Sequence, residues 1–358
     1  VIDFRYHLVS LVAVFIALAV GIALGAGPLR EGLSATLESE VSQLREERLD
    51  LRAQVDAASR RAEAKDEAIE GLAAAALPGT LDGVRVAVVT LPGADRNALG
   101  ELEDRLESAG ADLVLTAELA ERAGDEEPSP ELGELLTALS AELADPPTGD
   151  GSGPSLATVL AATLSGADEV GHAGAWLRAA DALEQEGVVD LTWRDGSSVE
   201  ISDRRPADVL VLETGGLTAQ ETTETAGAEQ LGLRLELVRS LAELQTPLVV
   251  AGTGAETVHD VDDTPVDPLV TAVRQDRDLA DSVSTVDNLD SVAGQVATAM
   301  ASAWALAEQV GHYGVGELSG SALPPVPPQR EVPTSTIPAP GDTGLPTVDD
   351  GSATTAAP

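Results

Sequence analysis

The stretch from Leu8 to Gly27, LVSLVAVFIALAVGIALGAG, runs for twenty residues without a charged side chain. At a helical rise of about 1.5 Å per residue it reaches roughly 30 Å, the thickness of a bilayer's hydrocarbon core. Three readings compete: a buried core helix, a cleaved export signal and a membrane span. A core helix would normally carry a polar face, and here the one polar side chain is Ser10. An export signal has a firmer basic region and a shorter apolar run, about 7–15 residues. Here Arg5 and His7 are offset by Asp3, although the run does end in small residues, Leu24-Gly25-Ala26-Gly27. A retained single-pass anchor over residues 1–30 fits best. The positive-inside rule discriminates little, because Arg5 lies before the span and Arg30 after it. The acidic bulk that follows argues for the amino end inside and the rest outside. Ala17, Gly21 and Gly25 recur every fourth residue and put small side chains on one helix face, where a second span can approach. Lipid-facing filler is the competing account of the same three residues.

Beyond the span, Leu37, Leu44, Leu51, Ala58, Lys65 and Leu72 are spaced by seven, and so are Val41, Arg48, Val55, Ala62 and Ile69. The two sets interleave as the d and a positions of a coiled coil. Leu37, Val41, Leu44, Leu51, Val55, Ile69 and Leu72 form the apolar seam, which Arg48 and Lys65 interrupt. Val at one set with Leu at the other favours a parallel pair. A charged helix lying on its own domain would be the alternative. Residues 31–77 are therefore expected as a stalk, ended by Pro78-Gly79. The implied partners are a second copy of the chain, as a homodimer or higher homo-oligomer, and membrane lipid.

From Val84 the pattern changes to strands and helices in turn. Val84–Thr90 (VRVAVVT) reads as a buried strand, Asn97–Ala109 as an amphipathic helix and Asp112–Thr116 as the next strand. That is a βαβ unit. Residues 121–154, acidic and rich in Pro and Gly, read as a surface insertion holding one helix. Helices follow near 155–164 and 173–185, then strands at 188–193 and 208–212. A helix at 229–244, a strand at 247–250 and a short helix at 265–273 come next. The near-uncharged 291–310 (SVAGQVATAMASAWALAEQV) is rich in Ala, Ser and Thr and reads as a buried helix rather than a second span. The expected fold class is α/β: a Rossmann-like, mostly parallel sheet over 80–320, with helices on both faces. Residues 321–358, rich in Pro, Thr and Asp, read as a disordered tail.

Composition narrows the functions. Sixty-one acidic residues against 21 basic ones give a formal charge of -40, which argues against nucleic acid as a partner. A salty habitat or a high-GC genome accounts for such a surface without an acidic-ligand role. The chain has no cysteine, so disulfides, thiolate catalysis and thiolate metal sites are excluded. Glycine-bearing turns follow two expected strands, with Gly215 and Gly216 after one and Gly252 and Gly254 after the other. Strand carboxyl ends are where α/β folds bind ligands, so these four mark a candidate crevice. Neither turn matches a dinucleotide or phosphate-loop fingerprint, and ordinary steric need also accounts for them. His259, Asp260 and Asp262 in VHDVDD form the one candidate metal cluster, of imidazole and carboxylates; in a chain this acidic a solvated loop is the stronger account of them. Asp287 and Asp290 in STVDNLD read as helix-capping carboxylates. No catalytic residue set is assembled by spacing, and no cofactor is required.

The layout resembles the actinobacterial copper transporter family. The similarity rests on FRYHLVSLVAVFIALAVGIALGAGPL (4–29), the heptad segment, GVRVAVV (83–89), VLVLETGGL (209–217), VAGTG (250–254), STVDNLD (284–290) and HYGVG (312–316). It implies a cell-envelope protein with one amino-terminal span that helps keep intracellular copper low, in the cell membrane or an outer envelope membrane, with copper ion as the metal concerned. It assigns no catalytic residues. Cu(I) prefers thiolate and thioether ligands, and this chain offers one methionine, Met300. A single helix cannot enclose a polar path, so an oligomer or envelope partner would have to form it. The alternatives are a scaffold with a dimeric stalk and a partner-binding α/β domain, and an enzyme on an envelope metabolite.

Overall fold

A computed structural model of the chain describes residues 4–124, 130–142, 156–165, 175–194, 207–217, 225–243, 246–254, 267–316 and 318–330. The chain divides into two units, residues 1–70 and 71–358. The first is formed by helix α1 (Phe4–Ala76) up to Glu70, and the helix runs on from the expected anchor into the expected stalk. Phe4–Gly25 is, among the described residues, the one helical segment long and apolar enough to cross a membrane, and its large side chains are exposed. Further along, Val41, Leu44, Leu51 and Val55 are 42%, 63%, 54% and 63% exposed. Leu72 is exposed as well and Ile69 half-buried, while the side chain of Leu37 lies outside the described ones.

In the second unit Ala73 and Leu77 are buried, and the helix stops at Pro78-Gly79, where Gly79 takes a φ of +81°. The elements then follow as β1 (Arg85–Thr90), α2 (Arg96–Ser108), β2 (Asp112–Leu119), α3 (Pro130–Glu142), α4 (Leu156–Ser165), α5 (Ala175–Gln185), β3 (Val189–Trp193) and β4 (Val209–Glu213). After them come α6 (Thr225–Glu243), β5 (Leu248–Ala251), α7 (Pro268–Gln275), α8 (Arg277–Ala280), β6 (Ser284–Val286), α9 (Val292–Ala305) and β7 (His312–Tyr313).

The strands form one mixed sheet in the order β3-β2-β1-β4-β5-β6-β7. All neighbours pair parallel except β3, which runs antiparallel along β2 with Ala117 opposite Leu191. The order is that of a doubly wound sheet with one more strand, but such a sheet would place β3 parallel. Here three helices, α3 to α5, separate β2 from β3 instead of a single crossover helix, and the chain returns in the opposite sense. β4, VLVLE, is buried at every position, as a central parallel strand covered on both faces must be.

Alternate residues feed two cores. Ala87, Val89, Leu210, Leu212 and Val250 meet Leu160 of α4, Leu183 of α5 and Leu241 of α6. Val86, Val88, Val209 and Val211 face the other way, where α2 and α9 pack on one another with Leu102, Leu106, Val296 and Met300 buried. The 291–310 segment is thus a helix of the domain, capped by Ser291 rather than by Asp290, with the Ser291 hydroxyl accepting from the Gly294 N–H.

Three features depart from the sequence reading. The helix inside the expected surface insertion, α3, seats Leu136 and Leu139 in the main core. The strands β6 and β7 are three and two residues long, too short to register as periodicity. Residues 321–330, expected to belong to the tail, pack within the second unit. The Arg330 N–H donates to the Gly79 carbonyl at 2.8 Å and the Trp304 indole N–H to the Pro325 carbonyl at 2.7 Å. Prolines there forgo hydrogen-bond donors but supply carbonyl acceptors and apolar rings, so a segment without periodicity can still pack.

Candidate functional site at the strand ends

Strand order reverses between β1 and β4, and that switch point is where an open α/β sheet offers a crevice. Gly215 and Gly216 stand there, after β4, and Gly252 and Gly254 one strand over, after β5. The structure brings the two turns side by side: the Thr214 N–H donates to the Ala251 carbonyl at 3.0 Å. It does not leave them open. Gly216 N–H donates to the Gly93 carbonyl at 3.0 Å, so the β1 and β4 loops touch. Gly215 has a φ of +63°, and a β-carbon on it would fall 2.4 Å from the Pro92 carbonyl oxygen. A β-carbon on Gly252 would fall 2.7 Å from that of Asp267. Gly215 and Gly216 thus permit close approach of backbone to backbone and Gly252 close packing of the Asp267 side chain, while a β-carbon on Gly254 would meet only the Asp290 carboxylate at ordinary contact distance. Gly215→Ala is expected to cost about 2 kcal/mol through the positive φ and the clash together, read as a lowered thermal midpoint.

Charged side chains the sequence reading did not single out hold the closure. Arg234 of α6 donates to the carbonyls of Thr214 at 2.8 Å, Pro92 at 3.0 Å and Gly215 at 3.4 Å, tying both loops together. Asp267 caps α7, accepting from the N–H groups of Leu269 and Val270, and also accepts a hydrogen bond from the Thr214 hydroxyl at 2.6 Å. Burial pushes its carboxyl up to about 6, against the pull of the Thr214 hydrogen bond. Glu213 is fully buried at the end of β4. Its Oε1 accepts from the Asp95 N–H at 3.2 Å, and its Oε2 has no hydrogen-bond partner among the described residues. Burial raises it to about 7, and the negative charges of Asp95, Asp267 and Glu118 add to the shift. Thr214 beside Asp267 is a hydroxyl beside a base, but both are buried, which closes the pair to a substrate. Beside it, at the ends of β1 and β2, lies a depression of about 230 Å³ lined in part by Arg96, Glu118 and Glu121.

A second buried cluster ties the carboxyl-terminal edge together. Arg274 of α7 donates to Asp287 at 2.6 Å, to the Thr285 hydroxyl at 2.8 Å and to the Tyr313 carbonyl at 2.7 Å. Asp287 in turn accepts from the N–H groups of Val315 at 2.7 Å and Gly316 at 2.9 Å. The segments STVDNLD and HYGVG, far apart in sequence, are thus joined through one ion pair. Asp287 is a buried partner of arginine and not a helix cap. Asp290 accepts from the Gly254 N–H at 3.2 Å. The candidate metal residues His259, Asp260 and Asp262 lie outside the described residues. Among those described, no group of three or more His, Cys, Asp or Glu side chains is placed to hold a metal ion.

Residues 1–324 match the family model described as "Copper transport outer membrane protein, MctB". Relatives named copper transporter MctB, from Mycobacterium bovis and Mycobacterium tuberculosis, are 26% identical over 325 residues, covering 88% of this chain and 96% of each relative. The match takes in the apolar amino-terminal helix, the sheet and the HYGVG edge, and on that extent the chain belongs to the MctB copper transport family.

Proposed function

We propose that this chain is a membrane-anchored envelope protein that contributes to copper efflux or copper homeostasis, acting as an oligomer or with envelope partners and not as an enzyme. The observation that carries this reading is the extent of the family match, residues 1–324, which includes the apolar helix Phe4–Gly25 as well as the α/β unit. The anchor is retained, with its amino end inside and the bulk outside, in the cell membrane or an outer envelope membrane. Copper is cargo in this reading. A chain with no cysteine and one methionine, Met300, itself buried, has no soft-ligand relay for Cu(I). A single span encloses no path either, so passage of ions would need further copies or partners. His259, Asp260 and Asp262 remain the proposed contact for a copper ion. The Arg234 bonds and the backbone contact that close the β1 and β4 loops on each other at Gly215 and Gly216 weigh against the enzyme alternative.

The test is cell-associated copper under copper stress in a deletion strain, in its complement, and in a complement lacking residues 1–30. Excess copper in the deletion, corrected by the anchored form alone, is the expected result. Equal copper in all strains would overturn the reading. A scaffolding role is the second reading, favoured by the exposed seam of α1. It predicts that deletion leaves copper unchanged but displaces an envelope protein that co-purifies with the chain.

A further inference from the structure

The seam of α1 is exposed, and its flanking charges indicate what covers it. With Val41, Arg48, Val55, Ala62 and Ile69 at a and Leu44, Leu51, Ala58, Lys65 and Leu72 at d, the e positions are Arg45, Arg52, Ser59 and Asp66. The g positions are Glu40, Glu47, Gln54 and Arg61. In a parallel, in-register pair each g side chain meets the e side chain five residues later on the other helix. The resulting pairs are Glu40 with Arg45, Glu47 with Arg52, Gln54 with Ser59 and Arg61 with Asp66. Three of the four are opposite charges, and none is like with like. Within one helix this spacing is useless, because residues five apart stand on different flanks and only those three or four apart are neighbours. The complementarity therefore serves a partner helix of the same sequence. Charge alone also tolerates an antiparallel pair. Anchors at the same end of both helices, in one membrane, do not.

We infer that residues 40–72 form a parallel, in-register two-stranded coiled coil between two copies of this chain, its register set by the Glu40–Arg45, Glu47–Arg52 and Arg61–Asp66 pairs. The inference rests on the anchored reading above and deepens its oligomeric part. Arg48 at a and Lys65 at d face their own copies across the seam. They weaken the pair, and each has a neighbour of opposite charge at hand, Glu47 and Asp66.

The absence of native cysteine makes the test direct. In the full-length protein in membranes, single cysteines are introduced at the d residue by Leu44→Cys, at the a residue by Val55→Cys and on the outer face by Leu49→Cys, then oxidised with tetrathionate. The expected result is a disulfide-linked dimer from Leu44→Cys and Val55→Cys and none from Leu49→Cys. Placing Glu47→Arg in the Leu44→Cys background replaces two attractive contacts with repulsive ones and is expected to cut the linked fraction about fivefold. Adding Arg52→Glu restores it, which a merely misfolded variant would not do. Equal linking at all three positions, no linking at any, efficient linking of Leu44→Cys to Ala62→Cys in mixed membranes, or failure of the charge swap to restore the dimer would each overturn the inference. None of these readouts uses copper, so a lost dimer with a normal copper phenotype would sink the register and leave the copper reading standing.

Discussion

Arg274→Met is expected to cost the second unit about 3–5 kcal/mol, the usual penalty for stranding one member of a buried ion pair. The side chains of Arg274 and Asp287 are both 0% exposed. Methionine would leave the Asp287 carboxylate buried with only the N–H groups of Val315 and Gly316 to hold it, and would leave the Tyr313 carbonyl with only the longer bond from the Asp287 N–H, at 3.3 Å. At about 2–4 °C per kcal/mol for a unit of this size, the thermal midpoint falls by about 10 °C. Calorimetry on the purified chain reads the shift. The double variant Arg274→Met with Asp287→Ala is expected to cost clearly less than the sum of the two single changes, because neither charge is then left alone. Additive costs would show that the two residues act separately. The same pair explains Gly314, whose φ is +126° and where a β-carbon would fall 2.0 Å from Asp287 Oδ1.

That cluster marks the limit of what the sequence makes legible. The apolar span, the stalk pattern and the strands that are four or more residues long announce themselves by run length and period. In β1 and β4 the runs VRVAVVT and VLVLE could hardly be anything but buried strands. The edge of the sheet carries no such signal. β6 and β7 together contribute five residues, and their place is fixed by Arg274, which looks like the solvent-facing end of an amphipathic helix until its partners are known. The direction of β3 is likewise invisible in VDLTW, because direction is decided by the path of the three preceding helices. At the strand ends the glycines were legible as a meeting point, but not whether the meeting is open or closed. That depends on Arg234, a residue twenty positions away that bonds three carbonyls, and on Pro92, whose oxygen occupies the space beside Gly215. A buried acid at the end of an apolar strand, Glu213 in VLVLE, was the one signal available for the polar cluster. Its position after four apolar residues in a central strand put it inside the protein.

Glu213 also sets a pH dependence of unusual sign. Its carboxyl has an ordinary value of 4.5 and is raised to about 7 in the folded chain. Between those values the folded state holds a proton that the unfolded state has released, so stability falls as pH rises, and the loss is complete above about 7. At about 1.4 kcal/mol per unit the fall amounts to roughly 3 kcal/mol. Asp267, raised from 3.8 to about 6, contributes in the same sense. The two carboxylates repel one another, so their falls overlap and do not simply add. His312 opposes them. Burial holds it below its usual 6.5, so it loses stability as pH drops through the unfolded value. Glu213→Gln isolates the effect, since glutamine keeps the shape of the protonated acid and cannot ionise. The variant is expected to match the parent at pH 4.5 and to be more stable by about 2–3 kcal/mol at pH 8, measured as the difference between the two denaturation curves at each pH. Asp95, Glu118 and Asp267 are present in both proteins, so the gap contains only the ionisation of Glu213 and its repulsion by those three carboxylates. A gap that stays constant from pH 4.5 to 8 would mean that Glu213 titrates alike in the folded and unfolded chain and is not raised by burial. A gap that opens between those limits places the buried proton on Glu213, at the point where the β1 and β4 loops close on each other.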